Sequence, residues 1–405
     1  MKQRLVLILL ISLLTAACGT VSPPSTATLL PFTPAATPSS CTPLTADPTP
    51  GPDDPSLFPP ITENDHSRGP SNAAVTILAY TDYQDLYSAV FWDSVNRLLS
   101  EHPNDVRVVN RNLPLLETKD KSALAAQAVE AADEQGKYWE MHDLLYAEQP
   151  NWINLSVEDF TQWITAQAAG LEMNVEQFTS DLTREDIVAK VRQAWEDGLK
   201  IGLPGTPIVL INEQIYTGPR DFNSLNDIVL LILFGKRQFT TCPPFIIQPN
   251  RQYIATLHTE KGDVIIELYA DKTPITVNSF VFLARSGWYD NITFHRVIPD
   301  LFAQTGDPSG TGKGHPGYFI ITEILPSLTF NQPGRVAMVN SGPNTSGSQF
   351  FITYAPAPQF DGRYTIFGQV LNGMEVLESL TPRDPQFGTP APPGDQLLSV
   401  TIEEK

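Results

Sequence analysis

The sequence predicts a multidomain chain in which an α/β domain precedes an all-β domain. Three observations carry this reading. The 405 residues suffice for two or three ordinary domains, and a composition with 41% hydrophobic and 9% aromatic residues can fill their cores. Between Val75 and about Lys200, apolar β runs give way to long helical stretches. From Tyr253 onward, short alternating β runs punctuated by Gly and Pro turns dominate, the pattern of a closed β-barrel.

In chain order, Lys2 and Arg4 precede an apolar run at residues 5–14 that is too short to span a bilayer. The small residues Thr15-Ala16-Ala17 then lead to Cys18, which makes 1–17 a secretory signal. This arrangement resembles a bacterial lipobox, with Leu14 one place earlier than in the commonest pattern. The resemblance implies cleavage before Cys18, a diacylglyceryl thioether on its sulfur, and a mature chain held on the extracytoplasmic face of a bacterial membrane. Residues 18–60 are rich in Pro, Thr and Ser, with 12 of the 36 prolines in the first 60 positions and no Lys or Arg between Arg4 and Arg68. Such composition buries too little apolar area to offset chain entropy, so it is expected to be an extended tether.

Residues 61–240 form the expected α/β domain. Val75-Thr76-Ile77-Leu78-Ala79-Tyr80 is a buried strand, a helix follows over about 87–100, and a second strand over 106–109. Ala-rich helical sequence runs from Ser122 to about Lys200, and Thr206-Pro207 precedes the strand Ile208-Val209-Leu210-Ile211. The segments "VTILAYTDYQ", "EQGKYWEMHDLLY" and "GLPGTPIVLINEQ" resemble the DsbA-like branch of the thioredoxin superfamily, a thioredoxin fold with a helical insertion. The resemblance makes Pro207 a candidate cis-proline. Where that family carries its CxxC pair, this chain has Asp85-Leu86-Tyr87-Ser88. Disulfide exchange needs a thiolate, so oxidoreductase chemistry is not expected there. The domain then either binds extended polypeptide beside the cis-proline loop or serves as a spacer.

Only three cysteines occur, with no CxxC, and the six histidines have no metal-ligand spacing, so neither a metal site nor a cofactor is expected. Cys41 and Cys242 flank the α/β domain, the latter in the 241–250 linker. In an oxidising compartment the two can pair and tie tether to linker; otherwise they stand as two surface thiols. A formal charge of -19 argues against nucleic-acid binding, which needs clustered cations.

Residues 251–405 carry the chemistry. Two β runs joined through Glu260-Lys261-Gly262-Asp263 form a hairpin, and an amphipathic helix is expected over 274–284. Further on stand "FHRVIPDLFAQTGDPSGTG" and "VAMVNSGPNTSGSQFFITYAPAPQFDGRYTIFGQV". Together with the preceding "HTEKGDVIIELYADKTPITVNSFVFLARSGWYDNITFHRV", these blocks resemble the cyclophilins over nearly all of the domain. The resemblance implies a closed antiparallel β-barrel with two helices and peptidyl-prolyl cis/trans isomerase activity. It gives Arg296 the catalytic role and has Gln304, Asn340 and Gln349 hydrogen-bond the substrate backbone. Leu301, Phe302, Phe351 and Phe360 would line the pocket for the proline ring, with Val339 and Tyr364 beside it. Gln359 stands where cyclosporin-sensitive members carry Trp, so weak cyclosporin binding is expected.

These assignments suit the reaction. Rotating a peptide bond crosses a barrier of roughly 18–20 kcal/mol without making or breaking a covalent bond. A guanidinium aimed at the twisted nitrogen, with an apolar pocket holding the ring, meets that requirement without nucleophile or metal. The partners expected are proline-containing exported polypeptides and, through Cys18, a membrane. The rival readings are a non-catalytic chaperone on the same fold and, requiring the absent CxxC, a thiol oxidoreductase.

Overall fold

The computed structural model describes residues 40–44, 57–385 and 392–405; the expected signal peptide, Cys18 and most of the expected tether lie outside them. The first strand, β1 (Cys41–Pro43), falls inside the expected tether yet is folded. It pairs antiparallel with a strand of the barrel domain, placing Cys41 opposite Ile320 and Pro43 opposite Tyr318. The tether expectation failed here because composition describes what a segment can bury alone, and this one borrows the edge of another domain.

The α/β domain contains β2 (His66–Arg68), β3 (Val75–Thr81), α1 (Leu86–Glu101) and β4 (Val106–Asn112). Six helices follow: α2 (Ser122–Asp133), α3 (Tyr138–Ala147), α4 (Gln149–Trp152), α5 (Val157–Gly170), α6 (Val175–Asp181) and α7 (Glu185–Ile201). The chain returns through β5 (Ile208–Ile211), β6 (Gln214–Tyr216) and α8 (Phe222–Gly235). The five strands are ordered β2-β4-β3-β5-β6, with β3 and β4 parallel and the other neighbours antiparallel. Helix α1 buries Phe91, Trp92, Val95 and Leu98, a spacing near 3.6 that puts them on one face. Helix α7 ends on Gly202 at φ +80°, a left-handed cap that only glycine adopts without strain. Strand β4 runs three residues past the expected Val109 because buried Asn110 is satisfied: it accepts from Thr81 Oγ1 at 2.7 Å and donates to Tyr138 Oη at 2.9 Å. The Thr206–Pro207 peptide bond is cis.

The barrel domain opens with the hairpin β7 (Tyr253–Thr259) and β8 (Gly262–Leu268), then α9 (Pro274–Arg285). Short strands follow: β9 (Ile292–Thr293), β10 (Arg296–Ile298), β11 (Phe302–Thr305), β12 (Tyr318–Ile320), β13 (Arg335–Met338), β14 (Phe350–Thr353) and β15 (Ile366–Asn372). Helix α10 (Met374–Glu378) and β16 (Gln396–Glu404) complete it. Nine of these strands form one antiparallel sheet ordered β10-β11-β14-β13-β15-β8-β7-β16-β9. Its edge strands β9 and β10 are separated in sequence by Phe294 and His295 alone, so the sheet curls until its edges meet through the chain itself.

Period-two alternation divides this sheet's residues between two apolar clusters. Val336, Met338, Phe350 and Ile352 point into the barrel core. Their neighbours Ala337 and Phe351 join Phe302, Phe330 and Ile366 in a separate cluster. That second cluster is where the expected site residues gather.

The two domains share structure. Helix α8 buries Leu225 and Val229 in the α/β core and Phe234 in the barrel core. Phe239 packs its ring 5.0 Å from Phe282 and 5.8 Å from Trp288. The expected linker is likewise held in place: Ile247 is buried, and the Ile246 amide donates to Asn278 Oδ1 at 2.6 Å. Cys41 and Cys242 are joined by a disulfide across 201 residues. Among the described residues no helix is long and apolar enough to cross a membrane.

Candidate active site

A cavity of about 580 Å³ opens on the outer cluster of the barrel. It gathers Arg296, Leu301, Phe302, Gln304, Val339, Asn340, Phe351, Phe360 and Tyr364, residues spread over nearly 70 positions of sequence. Strand register does much of the gathering. Arg296 lies opposite Gln304 across β10 and β11, and Gln304 lies opposite Phe351 across β11 and β14.

The floor is aromatic. The Phe351 ring centroid stands 5.5 Å from Phe302, 5.5 Å from Phe360 and 5.2 Å from Tyr364, tilted or edge-on in each case. Phe330, fully buried, backs this floor at 5.8 Å from Phe351 and 5.7 Å from Phe360. Sequence reasoning missed Phe330, since nothing local separates it from any other core phenylalanine.

Arg296 stands at the rim, its Cζ 5.4 Å above the Phe302 ring. Its Nε and Nη2 donate to the two carboxylate oxygens of Asp384, each at 3.2 Å. Among the described residues Nη1 takes no protein partner. The planar guanidinium is therefore clamped along one edge and leaves the other toward a ligand. Asp384 was not anticipated either: it sits in "PRDP", 88 residues from Arg296, with no local pattern to flag it.

Gln349 departs from its expected role and stands behind the cavity. Its Nε2 donates to the carbonyls of Gly312 and Gly314, each at 3.0 Å, and its Oε1 accepts from Gln304 Nε2 at 3.0 Å. With both hydrogens committed, it supports Gln304 and the 312–314 loop and has no donor left for a substrate. Asn340 lines the cavity, but its side chain holds a turn: Nδ2 donates to Arg363 O at 3.0 Å and Oδ1 accepts from Gly342 N at 3.2 Å. Among the described residues its main-chain N–H and C=O take no hydrogen bond.

His295 borders the same cavity and is almost fully buried. Burial pushes its pKa down to about 4; Asp307 opposes this, and Arg383 and Arg296 reinforce it. The ring is neutral at pH 7 and adds no charge beside Arg296.

In the α/β domain, Asp85 and Ser88 occupy the places where thiols were sought. Asp85 caps α1, its Oδ2 accepting from Ser88 N at 2.9 Å and from Ser88 Oγ at 2.8 Å. Pro207 lines a second cavity with Tyr87, Val90 and Pro204.

Comparison with known proteins agrees with both halves. The family model described as cyclophilin type peptidyl-prolyl cis-trans isomerase matches residues 254–400, and the one described as thioredoxin matches 61–229. The barrel domain is 46% identical over 147 residues to peptidyl-prolyl cis-trans isomerase CYP18-1 of Arabidopsis thaliana, covering 36% of this chain and 88% of that protein. It is 50% identical over 157 residues to peptidyl-prolyl cis-trans isomerase-like 3 of Rhizopus delemar, covering 36% and 92%. A crystal structure of a cyclophilin type isomerase from Cryptosporidium parvum shares 35% identity, with 38% of this chain and 98% of that one covered and a TM-score of 0.35. Because the identity extends along nearly the whole length of the curated relatives, the chain belongs to the cyclophilin-type peptidyl-prolyl cis-trans isomerases.

Proposed function

We propose that this isomerase acts on X-Pro bonds of exported polypeptides while tethered by lipid on Cys18 to the extracytoplasmic face of a bacterial membrane. The observation that carries the catalytic part is Arg296 at the rim of an aromatic pocket, clamped by Asp384 with Nη1 left over. The proline ring sits on Phe302, Phe351 and Phe360 and is held while the preceding carbonyl swings. As the bond twists, the nitrogen lone pair localises, and the Arg296 guanidinium stabilises it more than it does either planar state. Gln304 bonds the substrate backbone; Gln349 keeps Gln304 in place. Asn340 offers its main chain, and Leu301, Val339 and Tyr364 shape the groove. The location rests on the signal-like residues 1–17 and the small residues before Cys18.

The test is the cis-to-trans rate of an Ala-Pro peptide with the purified full chain and with Arg296→Ala. Strong acceleration that falls by about 10²-fold or more in the variant supports the mechanism. Absence of acceleration by the folded unmutated chain leaves a non-catalytic proline-peptide binder as the better account. For the anchor, expression with labelled fatty acid should mark the unmutated chain and not Cys18→Ser; equal partition of both into the soluble fraction overturns it.

A further inference from the structure

The isomerase cleft is not built by the barrel alone. Asp227, on α8 of the α/β domain, lines the same cavity as Arg296 and Phe351. Its Oδ2 accepts from Lys313 Nζ of the barrel at 2.9 Å, and Lys313 lines the cavity too. An ion pair between two domains thus forms one rim of the cleft.

The elements that carry both residues of this pair are anchored. Helix α8 is anchored in the α/β core by Leu225 and Val229 and in the barrel core by Phe234. Just beyond it, Phe239 N donates to Pro316 O at 2.9 Å, and the Cys41–Cys242 disulfide closes the junction. The loop carrying Lys313 is stapled by buried Asp307, which accepts from Ser309 N at 2.8 Å and Gly314 N at 2.9 Å. Gln349 holds the same loop through Gly312 and Gly314. A Cβ on Gly314 would stand 2.0 Å from Asp307 Oδ1, so glycine is required for the staple to close. The backbone on each side of the pair is therefore fixed, which keeps the exposed Lys313 side chain within reach of Asp227 at the rim.

Without Asp227, the cleft would present Lys313 uncompensated, and Lys313 would repel basic residues flanking a client proline. We infer that Asp227 sets the charge preference of the cleft. By neutralising Lys313 it lets the isomerase accept basic as well as acidic flanking residues, so the α/β domain takes part in substrate selection. This rests on the cleft being the polypeptide-binding site proposed above. Lys313 is 62% exposed and Asp227 30%, so water screens the pair and unmasking one charge should shift preference modestly, most visibly at low salt.

The experiment uses the full chain, Asp227→Asn and Lys313→Met, with a neutral Ala-Pro peptide and versions bearing Lys or Glu at each of two positions on either side of the proline. Both dissociation constants and isomerisation rates are measured. At one or more of these positions, the Lys-to-Glu affinity ratio should move about two- to fivefold toward Glu in Asp227→Asn and toward Lys in Lys313→Met, with the unmutated chain between them. Both shifts should shrink in 0.5 M salt. Ratios that stay put in both variants overturn the inference. The binding arm decides this even if the unmutated chain proves to bind without accelerating isomerisation, which would count against the isomerase reading alone. Since the two substitutions lie on different domains, a folding failure of one leaves the other to decide.

Discussion

Arg296 and Gln304 face each other across β10 and β11, and the same row continues across β14 to Phe351. Neighbouring strands lie about 4.7–4.9 Å apart. The row therefore sets a guanidinium, an amide and an aromatic ring at successive strand spacings, on the sheet face that the barrel core does not use. A shift of register by one residue would send all three toward the core and expose Ala303 and Phe350. The barrel's register and the geometry of the site are the same fact.

Asp384 is a positioning residue for Arg296. In Asp384→Asn the bidentate charge-assisted clamp is weakened, and kcat for an Ala-Pro peptide should fall about three- to tenfold with KM little changed. Asp384→Glu should recover part of the loss. An equal fall in stability and activity without a kcat-specific effect would mean the carboxylate is only structural.

Phe330 supports the floor without touching the cavity. Phe330→Ala should cost about 3–5 kcal/mol of stability and weaken peptide binding, because Phe351 and Phe360 lose their backing. Phe330→Leu should lose less of both. Urea unfolding and peptide titration on the same samples check the pairing; unchanged affinity in a clearly destabilised but folded variant would separate the two roles.

Acid should destabilise the chain through buried histidines. His142 and His295 are both held neutral, and burial lowers each to about 4 from the usual 6.5. The unfolded chain takes up their protons first, so their contribution is full above about 6.5 and is lost as pH falls toward 4, on the order of 3 kcal/mol each at completion. Urea midpoints between pH 7 and 4 should fall less steeply in His295→Gln than in the unmutated chain. Parallel slopes would refute this.

The Cys41–Cys242 bond should make stability redox-dependent. It closes a loop of 201 residues in sequence and ties β1 to the domain junction. Reduction, or Cys41→Ser with Cys242→Ser, should cost a few kcal/mol and lower the melting temperature by several degrees. Thiol titration of a Cys18→Ser chain should find no free thiol before reduction and two after it. Two reactive thiols in the untreated protein would show the bond unformed.

Much of the site was legible because most of the cavity-lining residues lie in two dense blocks, around 294–312 and 336–370, whose ordered motifs resemble the cyclophilins. Arg296, Phe302, Gln304 and Phe351 were identified there through the resemblance of those blocks to the cyclophilins, since an arginine or phenylalanine in β-rich sequence has by itself no site signature. Asp384, Phe330, Asp227 and Lys313 were not legible. Each reaches the site from a separate element, and a lone Asp, Lys or Phe in a loop, strand approach or helix has no local signature. Gln349 was legible in place but not in role, because only the hydrogen-bond count shows its amide already spent on Gln304, Gly312 and Gly314.

The sequence by itself determined the order of domains, the alternation that splits the barrel's residues between core and site, and the absence of thiols at Asp85 and Ser88. These are local properties, written in periodicity and residue type. Tertiary structure alone decided that β1 leaves the tether to pair with β12, that α8 belongs to two cores, and that Asp227 meets Lys313 at the cleft. Those outcomes depend on which surfaces find each other once the domains have formed. No window of sequence contains both partners, so packing settles them.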